Sequence, residues 1–397
     1  MTTAPASLST PMSAPFELAG LKVLVIAPFP YGIDRGTPIR ARRGVDLARR
    51  AGATVTVVTY GADLPADAFV VRGFRRARSM RQGFSKEKPV LDLILTFDAI
   101  RIARRLRPDV LHAHVHEGLA IALVTRLFAR NSRIVYDAHG TLADELVLAN
   151  VVSRDGMRYR LARRVERWLV RRADSIVAQS RHRADDLVSD GVRPERVVVL
   201  PDGPEATFFE VGRSRGIELV PRANEIVAVY TGSLETYQGI DDIIATAELT
   251  TGIRFVLFGE PGGGYMARIR AYGLSDRVEV IDPAPFAALP GLLSRADIAL
   301  APRHYGGNIP GKVPAYLAAG LPVVGTDVEG IREIVDDSVG AIVPPGDVPA
   351  LAAALQRLAG DPAGLRNRRT NAYERALRMY GEPAMLSALC AAYGGGA

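Results

Sequence analysis

Residues 303–330 collect groups suited to holding an anion. Gly306, Gly307, Asn308 and Pro310 make a turn too rich in glycine and proline for regular structure. That turn delivers Lys312 to the first turn of a helix, whose good formers run over 315–319 and stop at Gly320. Unpaired N–H groups at a helix start attract phosphate, and a lysine there works against the helix dipole unless an anion lies in front of it. The stretch can also be read as an ordinary connection in an α/β domain. A second group is the run His112, His114 and His116, followed by His139. The first three alternate at a strand end and share one side only while the chain stays extended. No cysteine or paired carboxylate completes a zinc ligand set, so a polar strand end is the better reading. There is no nucleophile motif or Walker-type loop, and residues 261–264 are too loose for a dinucleotide fingerprint.

These groups must be positioned by strands and helices in alternation. Apolar runs at 21–27, 55–59, 109–113, 133–137, 175–178 and 196–200 read as strands, with helical periodicity at 91–106 and 119–128 between them. After Pro201, Asp202, Gly203 and Pro204 the rhythm restarts at Glu225 and repeats through the strand at 322–326. The fold class expected is α/β, with two doubly wound Rossmann-like domains facing a cleft. Domain limits follow: a loose tail at 1–20, an N-terminal Rossmann-like domain at 21–205, a C-terminal Rossmann-like domain at 206–375, and a C-terminal helix and tail at 376–397. Gly36, Gly232, Gly259 and Gly306 each follow a strand, as ligand-binding turns do in such folds.

Composition sets bounds on the rest. A chain of 397 residues suits two domains. Its one cysteine, Cys390, allows no internal disulfide, so a cytoplasmic protein is the default. The first twenty residues lack the basic start and apolar core of a signal peptide, and no apolar run reaches the ~18 residues of a spanning helix. The net charge of +7 is concentrated in the first half and is almost all arginine. Those basic segments match no nucleic-acid-binding signature, so nucleic acid is not expected as a partner. Arg72, Arg75, Arg76, Arg78, Arg81, Lys86 and Lys88 crowd one loop. Arg160, Arg164, Arg167 and Arg171 recur at helical spacing opposite Leu161, Val165, Trp168 and Leu169. Contact of the first domain with an anionic membrane surface, peripheral at the inner face, is expected from these; the alternative is a solvated helix whose apolar side is core.

Taken in order, a set of motifs resembles the retaining, GT-B-fold glycosyltransferases of family 4. They are the glycine turn after LKVLVIAP, DVLHAH at 109–114, VYDAHG at 135–140, RRADSIVAQS at 171–180, VVVLPDG at 197–203, YTGSLETYQGIDDI at 230–243, and the run from ADIALAPR to VVGTD at 296–327. The resemblance implies transfer of a sugar from a nucleotide-diphosphate sugar to a glycan or lipid-linked acceptor, with retention and without a metal or other cofactor. It puts His139 beside the donor sugar, where a neutral imidazole can bond a hydroxyl near the departing phosphate. It puts Gly36 and Thr37 in the turn that approaches the diphosphate. It also exposes departures. Ser233 and Gln238 stand where the family usually has cations, and the paired glutamates fall on Gly307 and Ala315. Losing three charged contacts at ~1.5–3 kcal/mol each requires compensation. The variant pattern of Pro302, Arg303, Gly306, Gly307, Asn308, Pro310 and Lys312 is its expected source. Two other readings remain at this level: a binding protein that kept the fold and lost catalysis, and a nucleotide-sugar epimerase or phosphorylase on the same fold.

Overall fold

The computed structural model describes residues 18–32, 36–60, 88–148, 152–215, 225–259, 264–281, 288–306 and 309–394. The chain divides into two compact units: residues 1–179, 183–200 and 385–397 in unit 1, and 180–182 with 201–384 in unit 2.

Unit 1 alternates strand and helix in the order β1 (Lys22–Pro30), α1 (Gly36–Arg50), β2 (Thr54–Tyr60), α2 (Lys88–Leu106), β3 (Val110–His114), α3 (Val115–Arg126), β4 (Arg133–Ala138), α4 (Leu142–Leu148), α5 (Met157–Val170), β5 (Ser175–Ala178), α6 (Arg181–Ser189) and β6 (Val197–Val199). The strands pair in parallel in the order β2-β1-β3-β4-β5-β6. A parallel sheet is covered on both faces, which is why β1 and β3 to β5 read as nearly unbroken apolar runs. Alternate residues serve opposite layers. Leu24, Ile26, Leu111, Ile134 and Ile176 pack with α2, α3 and α5. Val23, Val25, Val110, Val135 and Val177 pack with α1 and with Leu389, Ala392 and Tyr393 near the C terminus.

Unit 2 repeats the plan with α7 (Ala206–Arg215), β7 (Ile226–Thr231), α8 (Ile240–Leu249), β8 (Ile253–Phe258), α9 (Tyr265–Ala271), β9 (Val278–Ile281), α10 (Leu289–Leu293), β10 (Ile298–Ala301), α11 (Lys312–Ala318), β11 (Val323–Thr326), α12 (Glu329–Arg332), β12 (Gly340–Val343), α13 (Val348–Ala359) and α14 (Pro362–Tyr380). Its strand order is β12-β11-β10-β7-β8-β9, again parallel. The last helix, α15 (Glu382–Tyr393), carries the chain back to unit 1 at Met385.

In each sheet the order reverses direction once, between β1 and β3 in unit 1 and between β7 and β10 in unit 2. Connections leave such a point towards opposite faces, opening a crevice at the carboxyl ends of the two strands.

One local reading is corrected. The three alternating histidines do not all share a strand: His112 and His114 lie on β3, which stops at His114, and Val115 then adopts a left-handed φ of 56°. A β-branched residue is strained there, at a cost of order 1–3 kcal/mol. The turn starts α3 at once and sends His116 away from the other two.

Candidate functional site

The crevice of unit 2 is built by a strand end and a helix start that meet. Lys312 opens α11, and Tyr316 follows one turn later on the same side. Both reach the end of β7. The Tyr316 hydroxyl receives the Thr231 N–H at 2.7 Å. The Lys312 ammonium donates to the Tyr230 hydroxyl at 2.7 Å and to Gln238 Oε1 at 3.2 Å, and lies 3.9 Å from the Tyr230 ring centroid. Tyr230 in turn donates to the Ser233 carbonyl at 2.7 Å. Two of the three ammonium protons are thereby placed, which leaves the third for a ligand. Burial lowers the ammonium from its ordinary value, Arg303 adds to that, and the result is about 7.

Glycine is required where this crevice is tightest. Gly232 has φ 125°, and a Cβ on it would lie 3.1 Å from Lys312 Nζ. Gly239, at φ 74°, would drive a Cβ to 2.0 Å from the Pro302 carbonyl oxygen. Arg303 leaves the end of β10, and its guanidinium stands 5.4 Å from the Tyr237 ring centroid. Gly306 lies against it, since a Cβ there would be 2.6 Å from Arg303 Cζ. Ala315, within α11, is half-buried at the edge of the core. Gly232, Ser233, Gln238, Arg303, Gly306 and Lys312 therefore belong to one crevice; Gly307 and Asn308 lie outside the described residues. Sequence reasoning missed the stacked Tyr237–Tyr305 pair, with centroids 5.4 Å apart, and the His304–Asp242 contact at 2.7 Å. It also missed Tyr230, which had no signal beyond an aromatic at a strand end.

In unit 1 the end of β4 carries Asp137 and, just beyond, His139. Asp137 accepts from Arg40 Nε at 3.0 Å on both oxygens, and Arg40 also donates to the Leu200 carbonyl at 2.8 Å. Burial alone would raise the Asp137 carboxyl. Arg40 and the neighbouring imidazoles outweigh it and hold the carboxyl below the usual range. His139 Nε2 is 3.1 Å from His114 Nδ1, and Gln179 Nε2 is 3.4 Å from His139 Nδ1. Which nitrogen of His139 carries the proton sets the direction of each contact, and the longer one, to Gln179, leaves Nδ1 able to take a closer partner. His114 stacks on His112 at 4.6 Å, and His112 Nδ1 is 2.9 Å from the Tyr393 hydroxyl. Burial, aided by the other imidazoles and Arg40, pushes His112 down to about 3 and His114 well below its ordinary value. Both stay neutral at physiological pH.

The bland reading of the histidines as a polar strand end is thus replaced by a buried, interlocked cluster. His112, His114 and Asp137 lie close enough to share an ion, with candidate ligand atoms within 4.8 Å of one another. Arg40 already occupies the carboxylate, and two imidazoles stacked at 21° face each other rather than a common point, so the donor set suits a neutral cluster better than a cation. His116 belongs elsewhere, 3.3 Å from buried Glu166. Gly36 and Thr37 are the first two residues of α1 and follow β1 across residues 33–35, which lie outside the described set.

Residues 35–203 match the glycosyl transferase 4-like domain, and residues 225–361 match glycosyl transferases group 1. The glycogen synthase of Mycobacterium tuberculosis is 28% identical over 286 residues, which are 68% of this chain and 65% of that protein. The chain therefore spans slightly less than two thirds of that relative. The D-inositol 3-phosphate glycosyltransferase of Corynebacterium diphtheriae is 27% identical over 381 residues, 86% of this chain and 88% of that one. Among solved structures, Anabaena HepE in complex with UDP superimposes with a TM-score of 0.68 at 18% identity, covering 92% of this chain and 98% of HepE. With both halves matched in order, and with two parallel six-stranded sheets of this kind, the chain belongs to the group 1, family 4 glycosyltransferases of the GT-B fold.

Proposed function

We propose that this chain transfers a sugar from a nucleotide-diphosphate sugar to a glycan or lipid-linked acceptor, with retention of configuration and without a metal ion. Unit 2 holds the donor and unit 1 receives the acceptor; Gly36 and Thr37, at the head of α1, approach the diphosphate. The carrying observation is Lys312. Its ammonium bonds Gln238 and sits against Gly232, the neighbour of Ser233, and Ser233 and Gln238 are the two places where the sequence departs from the family's cations. A cation lost from the loop after β7 is supplied by the start of α11. In this reading Lys312 and Arg303 neutralise the departing diphosphate, the electrostatic part of the catalysis. The ribose is held without a carboxylate at Ala315 or Gly307. His139 bonds a hydroxyl of the donor sugar, and the acceptor attacks from the face the phosphate leaves, giving it the acceptor's proton.

The solved neighbour that binds UDP supports trying uridine diphosphate and its sugars first. Among the described residues no helix is long and apolar enough to cross a membrane. We place the reaction on the cytoplasmic side, a reading supported by the single cysteine. The test is transfer from a panel of nucleotide-diphosphate sugars in the presence of a chelator, with the anomeric configuration of the product read by NMR. A product of retained configuration is expected at an undiminished rate. An inverted product, or a rate restored only by added divalent cation, contradicts the proposal.

A further inference from the structure

Helix α5 is turned the opposite way from an ordinary surface helix. Its inward face carries Ala162, Glu166 and Val170. The larger apolar side chains point to solvent: Met157 is 84% exposed, Leu161 60%, Val165 43% and Trp168 54%. The sequence pattern allowed these residues to be core, and of that set only Leu169 packs inward. At 100° per residue the four exposed side chains fall in one stripe, and Arg160, Arg164 and Arg171 line its flank. Among the described residues neither Arg160 nor Arg164 has an ion pair or a side-chain hydrogen bond, whereas Arg163 and Arg167 are held by Asp190. The one carboxylate of the helix, Glu166, is buried.

The stripe is not isolated. α2 packs against α3, and α3 against α5, all on the same face of the unit 1 sheet. The outer side of α2 exposes Leu93 and Phe97, the latter 76% exposed, and the end of α3 exposes Leu127 and Phe128. Arg104 lies over the Phe128 ring at 4.5 Å, and Arg172 over Trp168 at 3.5 Å.

We propose that this outer helical surface of unit 1 docks on an anionic lipid bilayer, with the α5 stripe entering the interface and the arginines meeting lipid phosphates. The pattern fits a planar interface: aliphatic side chains and an indole in a row, flanked by Arg160 and Arg164, which have no ion pair among the described residues, and by Arg171, which bonds the Asp190 carbonyl. A nucleic acid would use the charge and leave the aliphatic row in water. Docking does not depend on the catalytic reading, although a membrane surface is where a lipid-linked acceptor is met.

The test is flotation of the full chain with vesicles of neutral phosphatidylcholine, alone or mixed with an anionic phospholipid, at low and moderate salt. Binding is expected only with anionic lipid and is expected to weaken with salt. At about fivefold per basic residue, an Arg160→Gln, Arg164→Gln double variant should bind roughly 25-fold more weakly. A Leu161→Ser, Trp168→Ser variant should also lose binding, while the thermal shift given by a nucleoside diphosphate stays unchanged in both. Absence of flotation at low salt, equal binding by the double arginine variant, or concentration-dependent dimers that bury the face without lipid would each overturn the proposal. Loss of the nucleotide response with docking intact would instead count against the catalytic reading.

Discussion

Lys312 and His139 are poised by neighbours that the linear sequence keeps far apart. The ammonium sits near pH 7 because burial and Arg303 oppose its charge, so a bound diphosphate should draw a proton onto it. Calorimetry at about pH 8.5 in two buffers of different ionisation enthalpy should show uptake approaching one proton per diphosphate bound, and about none at pH 5.5. Equal heats in both buffers at the higher pH would remove that role. His139→Ala is expected to lower turnover at least tenfold while nucleoside diphosphate binding changes little; parental turnover would reject the assignment. His114 acts through His139, whose Nε2 it holds at 3.1 Å. His114→Asn, which keeps a polar atom near the Nδ1 position, should retain more turnover than His114→Leu at unchanged donor KM. Equal turnover in the two would argue for simple packing.

At the scale of elements, the turn after β7 decides whether Lys312 can stay where it is. Gly232→Ala puts a methyl 3.1 Å from Nζ at a φ that alanine resists. It should weaken diphosphate binding about as much as removing the lysine does, by ~1.5–3 kcal/mol; parental affinity would show that the crevice relaxes freely. Arg40, carried on α1, meets Asp137 at the end of β4 and leaves little room for substitution. Arg40→Met should cost about 3–5 kcal/mol in denaturant unfolding, because it strands a buried carboxylate. The strands were legible because parallel sheets buried on both faces demand continuous apolar runs, as at β1 and β4. The start of α3 was not, since a left-handed valine at 115 leaves no mark in the sequence and is held there by its surroundings. The loss of cations at 233 and 238 could be read directly. That Lys312 returns a charge to the same place could be argued from the helix start, but Tyr230, the hydroxyl that holds it, lies 82 residues away. Arg40 and Asp137, 97 residues apart, and Tyr393 against His112, 281 apart, gave no signal, since each pairing is made only by the closed fold.

For the whole molecule, the buried histidines tie stability to pH. His112 is held neutral in the folded chain to about 3 and would titrate near 6.5 when unfolded. The unfolded state then binds more protons between those limits, so the contribution is complete above about 6.5 and is lost as pH falls towards 3. The loss should be on the order of 1 kcal/mol per pH unit from this residue, with His114 adding in the same direction. Melting temperature should therefore fall more steeply below pH 6 in the parent than in His112→Gln; parallel curves would locate the acid sensitivity elsewhere. The basic residues at 72, 75, 76, 78, 81 and 86 lie outside the described residues, whereas Lys88 opens α2 and bonds Glu117, so it is not a free surface charge. The proposed donor site depends on one cation replacing those the family keeps on another loop. Isothermal calorimetry of the parent and Lys312→Ala with a nucleoside diphosphate, and with the matching nucleoside, measures this directly. The variant should bind the diphosphate more weakly by ~1.5–3 kcal/mol and the nucleoside almost equally; equal diphosphate affinity in the two proteins would contradict the account.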